Sequence, residues 1–151
     1  MGIGKPSHWV FLLGLLLSVY ATAAPDPEQV TFSSVEVRIK QQVYVLEYAY
    51  SAEQRARGLM YRQSLCDDCG ILFNFQQPKR AGLWMKNTYL PLDVAFIRQD
   101  GRISEIRSMQ AHDVRLTVAK QNILYAWEMN QGWFSKNAIQ VGDMASIKPL
   151  E

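Results

Sequence analysis

The sequence predicts a mainly β protein, folded as a compact antiparallel sandwich or barrel with one short helix near residues 52–60. Three observations predict this class. Short segments with alternating apolar side chains recur along the chain and are separated by turn signals. Only one segment carries a strong helix signal. The 151 residues are 48% hydrophobic and 20% charged, which indicates one globular domain and excludes a disordered chain.

The first two strands are followed by the helix. Residues 30–39 and 43–50 alternate Val, Tyr, Leu and Ile with polar residues, which is typical of strands with one solvent-exposed face. Ser51 and Gln54 then match a capping box, so we expect a helix over residues 52–60. Gly58 weakens this helix or ends it early.

The rest of the chain reads as strands and turns. Asp100-Gly101 is a strong hairpin signal between two apolar segments, and a Gln-Gln-Pro-Lys-Arg turn separates another pair. Seven or eight short strands favour a sandwich or barrel. The remaining strands are expected at residues 70–75, 81–85, 92–98, 102–107, 123–129 and 144–147.

The beginning of the chain resembles an export signal. Lys5 precedes an apolar run over residues 9–20, and small residues follow at positions 21–23. The run is shorter than the roughly 20 residues that span a bilayer. We therefore expect a signal peptide over residues 1–23, a flexible lead-in over 24–30 and a single β-rich domain over 31–151. The protein is expected to be periplasmic or secreted. If the signal is not cleaved, it would be the only membrane contact.

Charge and motif content exclude several functions. A net charge of +2 is too even for a nucleic-acid-binding protein. After residue 23 the one histidine is His112, which excludes a two-histidine zinc site of the H-E-x-x-H type. Phosphate-binding loops and nucleophile elbows are absent from the sequence. We therefore predict no cofactor and no metal site, and an enzymatic role stays open without being favoured.

Cys66 and Cys69 enclose the most specific short motif in the sequence, Cys-Asp-Asp-Cys. In an oxidising compartment two cysteines at this spacing are expected to form a structural disulfide. A redox pair is less favoured, because the two aspartates and the following strand disfavour a thiolate. Copper capture is a third, weaker alternative, for which Met109 and His112 would supply soft ligands.

Residues 84–93 (WMKNTYLPLD) form the segment of the sequence richest in aromatic, charged and hydrogen-bonding side chains. They would form a tightly capped turn in which Asp93 accepts hydrogen bonds from backbone amides, or the rim of a ligand pocket. In a pocket, Trp84 would stack on a ligand and Lys86 would favour an anionic or polyhydroxyl one. Local chemistry alone favours the turn. The candidate ligand-binding residues are Trp84, Lys86, Asn87, Thr88 and Asp93, followed by Arg57, Arg62 and Glu128.

An ordered series of motifs spans nearly the whole of the chain after residue 30. It consists of RGLMYR at 57–62, GILF at 70–73, WMKNT at 84–88, PLD at 91–93, Glu128 before Gly132-Trp133, and Gly142-Asp143. This series resembles the domain of unknown function 192 family. The resemblance implies a small jelly-roll-like β domain, commonly exported or membrane-linked in bacteria, and it implies no catalytic residues. Ile71 replaces a usual methionine, and only some members share the Cys66–Cys69 insert.

Two functional classes follow. The favoured one is a binding module for a small polar or anionic ligand, a glycan or an envelope protein. The alternative is a small hydrolase or transferase that uses a carboxylate pair such as Asp93 and Glu128. An assembly accessory that uses its surface instead of a pocket is a third possibility. Convergence of the candidate residues on one concave surface would discriminate between these classes.

Overall fold

The computed structural model describes residues 1–2 and 30–150. The predicted signal peptide beyond residue 2 and lead-in residues 24–29 lie outside the described residues. No helix in the described part is long and apolar enough to cross a membrane. The strands are β1 (Ser33–Ile39), β2 (Gln42–Ala49), β3 (Gly70–Lys79), β4 (Gly82–Leu83), β5 (Leu92–Ile97), β6 (Ile103–Met109), β7 (Thr117–Val118), β8 (Ile123–Asn130) and β9 (Ala145–Pro149), and the helices are α1 (Ala52–Arg57) and α2 (Trp133–Lys136).

Seven strands form one curled sheet, a half-barrel, in the order β6-β5-β8-β3-β2-β1-β9. All neighbours in it are antiparallel except β2 and β3, which run parallel. A parallel pair needs a crossover connection, and α1 with the loop after it provides one. Strands β4 and β7 pair separately as a short antiparallel ribbon.

The predicted mainly β class and the short helix are confirmed. The helix ends at Arg57 instead of residue 60, because Gly58 follows with φ +46, outside the helical region. The sequence prediction lacked α2 and β7. Both are short, and α2 begins at a left-handed Gly132 without a capping side chain, so it carries none of the usual start signals.

Both faces of the sheet are apolar, and each packs against a different helical segment. On the α2 face, Trp127 of β8 is fully buried against the ring of Phe134 in α2, with centroids 5.1 Å apart. On the α1 face, Phe73 of β3 and Val94 of β5 pack with Leu59, which follows α1. Successive side chains of a strand point to opposite faces, so neighbouring residues on one strand serve different cores.

Candidate functional site

The end of α1 builds one side of the site. Its capping box forms as predicted: Ser51 Oγ accepts a hydrogen bond from Gln54 N at 3.1 Å, and Gln54 Oε1 accepts one from Ser51 N at 2.9 Å. At Gly58, a Cβ atom would lie 3.1 Å from the ring of Phe73. Glycine therefore lets the chain turn close to β3, which brings Arg57 and the residues after it over the α1 face.

Residues 84–88 build the opposite side as a tight turn. Thr88 N donates to Met85 O at 3.1 Å, and Asn87 adopts a left-handed φ of +54. The Met85 side chain is buried, whereas Trp84 and Lys86 are exposed. Lys86 Nζ lies 5.3 Å from the centroid of the Trp84 ring, within the range of a cation–π contact. The turn therefore presents an aromatic face beside a positive charge.

Asn87 and Tyr61 hold these two sides together. Tyr61 N donates to Asn87 O at 2.8 Å, and Asn87 Nδ2 donates to Tyr61 Oη at 2.7 Å. The Arg57 guanidinium lies 4.7 Å from the centroid of the Tyr61 ring. Tyr89 packs against Tyr61 on one side and against His112 on the other. Asn87 is therefore a structural bridge, and the bridge is bordered by partly exposed aromatic rings.

Glu128 lies beneath the junction, on the α1 face of β8. Its cross-strand neighbours Ile71 and Val94 are apolar, and only 4% of Glu128 is exposed. Burial away from water penalises the charged form and raises the pKa of Glu128 from 4.5 to about 8. At neutral pH the side chain is therefore mostly an uncharged carboxylic acid, which can donate a hydrogen bond.

A small cleft of about 20 Å³ opens above this carboxyl group. That space holds one water-sized group. Its lining includes Arg57, Trp84, Thr88 and Glu128, four of the eight predicted candidates. The Thr88 hydroxyl donates a hydrogen bond to Lys86 O at 3.3 Å, so only the lone pairs of its oxygen remain to accept a hydrogen bond from a ligand.

Asp93 lies on the opposite face of the sheet. It is directly across from Met129 of β8, which belongs to the α2 face, whereas Glu128 belongs to the α1 face. Asp93 Oδ1 accepts a hydrogen bond from Ser108 Oγ at 2.6 Å, and Oδ2 accepts one from Gly132 N at 2.7 Å. The suggested Asp93–Glu128 pair therefore does not form. Asp93 instead holds the turn before α2 through Gly132, and accepts no hydrogen bond from the amides of the 84–93 segment.

Arg62 lies on the α1 face but outside the cleft. Arg62 Nη2 donates to Glu47 Oε2 at 2.6 Å in a half-buried ion pair. Glu47 of β2 is paired with Ile71, which is in turn paired with Glu128, so two strand spacings separate the two glutamates. Neighbouring strands are about 4.8 Å apart, which makes the distance about 10 Å. Arg62 therefore does not join the other candidates.

Cys66 and Cys69 form the predicted disulfide. Between them, Asp68 Oδ1 accepts a hydrogen bond from Trp133 Nε1 at 2.9 Å, which attaches the loop to the α2 face. The copper alternative finds no support, because Met109 is buried while His112 is exposed beside another ring. Residues 30–150 contain no group of three or more His, Cys, Asp or Glu side chains that could hold a metal.

Comparison with known proteins identifies the family. The DUF192 family (Uncharacterized ACR) matches residues 35–147. The chain belongs to the DUF192 family. A "putative transcription regulator" from Sinorhizobium meliloti 1021 shares 32% identity over 78% of this chain and 96% of its own, with a TM-score of 0.75. A protein of unknown function from Novosphingobium aromaticivorans DSM 12444 shares 31% identity over 75% of this chain and 83% of its own, with a TM-score of 0.68. A search of the curated proteins found no match.

The DUF192 match includes every segment that lines the cleft. The sequence prediction did not include Tyr61 among the candidates, although Tyr61 stands inside the RGLMYR motif and contacts both Asn87 and Arg57. It also missed the aromatic neighbours Tyr89 and His112. No local pattern could have found them, because their contacts join segments that are far apart in the sequence.

Proposed function

We propose that this DUF192 domain binds a small ligand that carries an anionic oxygen group, in the cleft above Glu128. The proposal rests on the carboxyl group of Glu128, which is buried and makes no hydrogen bond with any described residue. Buried acids with raised pKa values concentrate at functional sites, and this one lines the cleft. A ligand oxygen that accepts a hydrogen bond from this acid would satisfy it.

Positive charge in the lining of the cleft, from Arg57, and beside its Trp84 wall, from Lys86, favours an anion. The side chains of Arg57 and Lys86 are positively charged, and neither makes a hydrogen bond or ion pair with a described residue. A guanidinium binds a carboxylate with two parallel hydrogen bonds. The cleft of about 20 Å³ admits only the functional group of a ligand. The body of the ligand would then lie on the exposed ring of Trp84.

The enzymatic alternative has weaker support. A carboxylate-pair mechanism needs two carboxyl groups that face the same substrate. Asp93 is separated from Glu128 by the sheet, and Glu47 on the nearer side is held by Arg62. The cleft gives no support for a role as a transcription regulator, the name of the Sinorhizobium relative, because a cleft of this size fits a small anion and not a nucleic acid.

We further propose that the domain acts outside the cytoplasm, either in the periplasm or after secretion. The support is the pattern of residues 1–23. Intact-mass analysis of protein taken from the cell envelope should show cleavage between Ala23 and Ala24. A mass that retains the apolar run at residues 9–20 would indicate an anchored protein instead.

Calorimetric titration with benzoate tests the ligand proposal, because benzoate combines a carboxylate with a flat ring. Benzoate is expected to bind, and neutral benzyl alcohol is not. Arg57→Ala should weaken binding about tenfold or more, whereas the matched control Arg62→Ala should leave it unchanged. Glu128→Leu should abolish binding, while Glu128→Gln should retain it, because an amide also donates. Binding of methyl glucoside instead of benzoate would indicate a polyhydroxyl ligand, and no binding of either would overturn the proposal.

A further inference from the structure

The β4–β7 ribbon, with its flanking residues (80–86 and 113–120), is apolar on both faces. Its inner face is formed by Ala81, Leu83, Met85 and Ala119, which are all buried in the core of the α1 face. A ribbon of two short strands normally keeps polar side chains on the face that meets water. The outer face of this ribbon carries apolar side chains instead.

The outer face carries four large exposed apolar side chains. Alternation along the strands and the pairing of Gly82 with Val118 place them on one side of the ribbon. A Cβ atom on Gly82 would lie 3.2 Å from Val118 Cγ2 and 3.5 Å from Leu116 Cδ2, so these two side chains cover the glycine. The exposed fractions are Val114 63%, Leu116 62%, Trp84 45% and Val118 37%.

Positive charge surrounds this apolar face. Residues 80–86 and 113–120 contain four basic residues and one acidic residue, a net charge of +3, against +2 for the whole sequence. The single acid, Asp113, is occupied by an ion pair of 2.6 Å with Arg115. Lys86 and Lys120 are exposed at opposite ends of the ribbon.

We propose that the outer face of the β4–β7 ribbon docks on an anionic lipid surface. Aliphatic side chains would enter the boundary between headgroups and acyl chains, and Trp84 would sit at the headgroup level. The lysines and arginines would meet lipid phosphates. A second copy of this chain fits less well, because two ribbons of charge +3 would repel each other. A nucleic acid fits less well too, because its interfaces are polar and wet. Trp84 and Lys86 also belong to the proposed ligand site, but Val114, Leu116 and Val118 do not line the cleft, so this inference does not depend on ligand binding there.

A fluorophore on the ribbon tests the proposal. The sequence has two cysteines, both in the disulfide, so Val114→Cys offers a single free thiol for a polarity-sensitive dye. Val45→Cys is the matched control, since Val45 is also exposed, at 58%, and lies on β2. Both labelled full-length chains carry the same N-terminal segment, so anchoring through that segment would not distinguish them.

The dye at position 114 should shift to the blue with vesicles of equal parts phosphatidylcholine and phosphatidylglycerol, and not with phosphatidylcholine alone. The shift should be lost in about 1 M salt, should need about tenfold more lipid in a Leu116→Ser background, and should persist in Glu128→Leu. Equal shifts at positions 114 and 45, no shift at 114, or an equal shift with neutral vesicles would overturn the proposal. So would a shift caused by duplex DNA or by raised protein concentration alone.

Discussion

Replacing Glu128 by glutamine should stabilise the protein at neutral pH. Burial raises the pKa of Glu128 from 4.5 to about 8, so the folded state keeps a proton that the unfolded state releases. The unfolded state then binds fewer protons over this interval, and the free energy of unfolding falls as the pH rises through it. Each pH unit corresponds to about 1.4 kcal/mol, so the wild type loses about 3 kcal/mol between pH 4.5 and pH 7. Glutamine has nearly the same shape and does not ionise in this range.

Urea unfolding of both proteins across this pH interval measures the effect. The two curves should coincide near the acid end, and the variant should be more stable by about 3 kcal/mol at pH 7. Glu53→Gln on the exposed surface of α1 is the control, and it should change stability by less than about 0.5 kcal/mol. A difference that does not depend on pH would show that folding does not raise the pKa of Glu128, and a variant less stable than the wild type at pH 7 would show that Glu128 is charged and paired. Either result would contradict a buried, neutral Glu128.

Three further substitutions separate structural residues from ligand-binding ones. Asp93→Ala should lower the free energy of unfolding in urea by about 3 kcal/mol, because two hydrogen bonds lose their acceptor. It should leave the affinity for benzoate unchanged, and a loss of affinity in the folded variant would place Asp93 in the site. Replacing Cys66 and Cys69 by serine should cost about 2 kcal/mol or less, because the closed loop is short, and a larger loss of thermal stability would contradict this. Asn87→Ala should cost about 1 kcal/mol or more, since it removes the side-chain hydrogen bond to Tyr61 and strains a left-handed residue. Lys86→Ala should leave the melting temperature within a few degrees, and equal losses would show that both residues are structural.

The local elements of this fold could be predicted because their signals lie within a few residues. Ser51 and Gln54 identify the helix start by their spacing alone, and the Asp100-Gly101 turn identifies the hairpin of β5 and β6. The parallel pairing of β2 with β3 could not be predicted in the same way. It depends on a crossover through residues 50–69, and nothing in either strand marks which partner lies beside it.

Only part of the candidate site could be predicted from the sequence, because the rest depends on strand pairing over long sequence distances. Arg57, Trp84, Thr88 and Glu128 meet in one cleft, as the concentration of their chemistry suggested. Asp93 shares that concentration, yet strand alternation turns it to the other face of the sheet. A shift of one residue in the register of β5 would move Asp93 to the α1 face. Strand register is set by long-range pairing, which no local motif specifies.

Observing the Glu128 carboxyl carbon by ¹³C NMR during a pH titration, with and without benzoate, tests the ligand-binding account most directly. The Glu128→Gln spectrum assigns the resonance. We expect a midpoint of about 8 for the free protein. With benzoate the midpoint should rise, because a bound carboxylate stabilises the protonated acid as its hydrogen-bond donor. A midpoint near 4.5, or one that saturating benzoate leaves unchanged, would contradict the account.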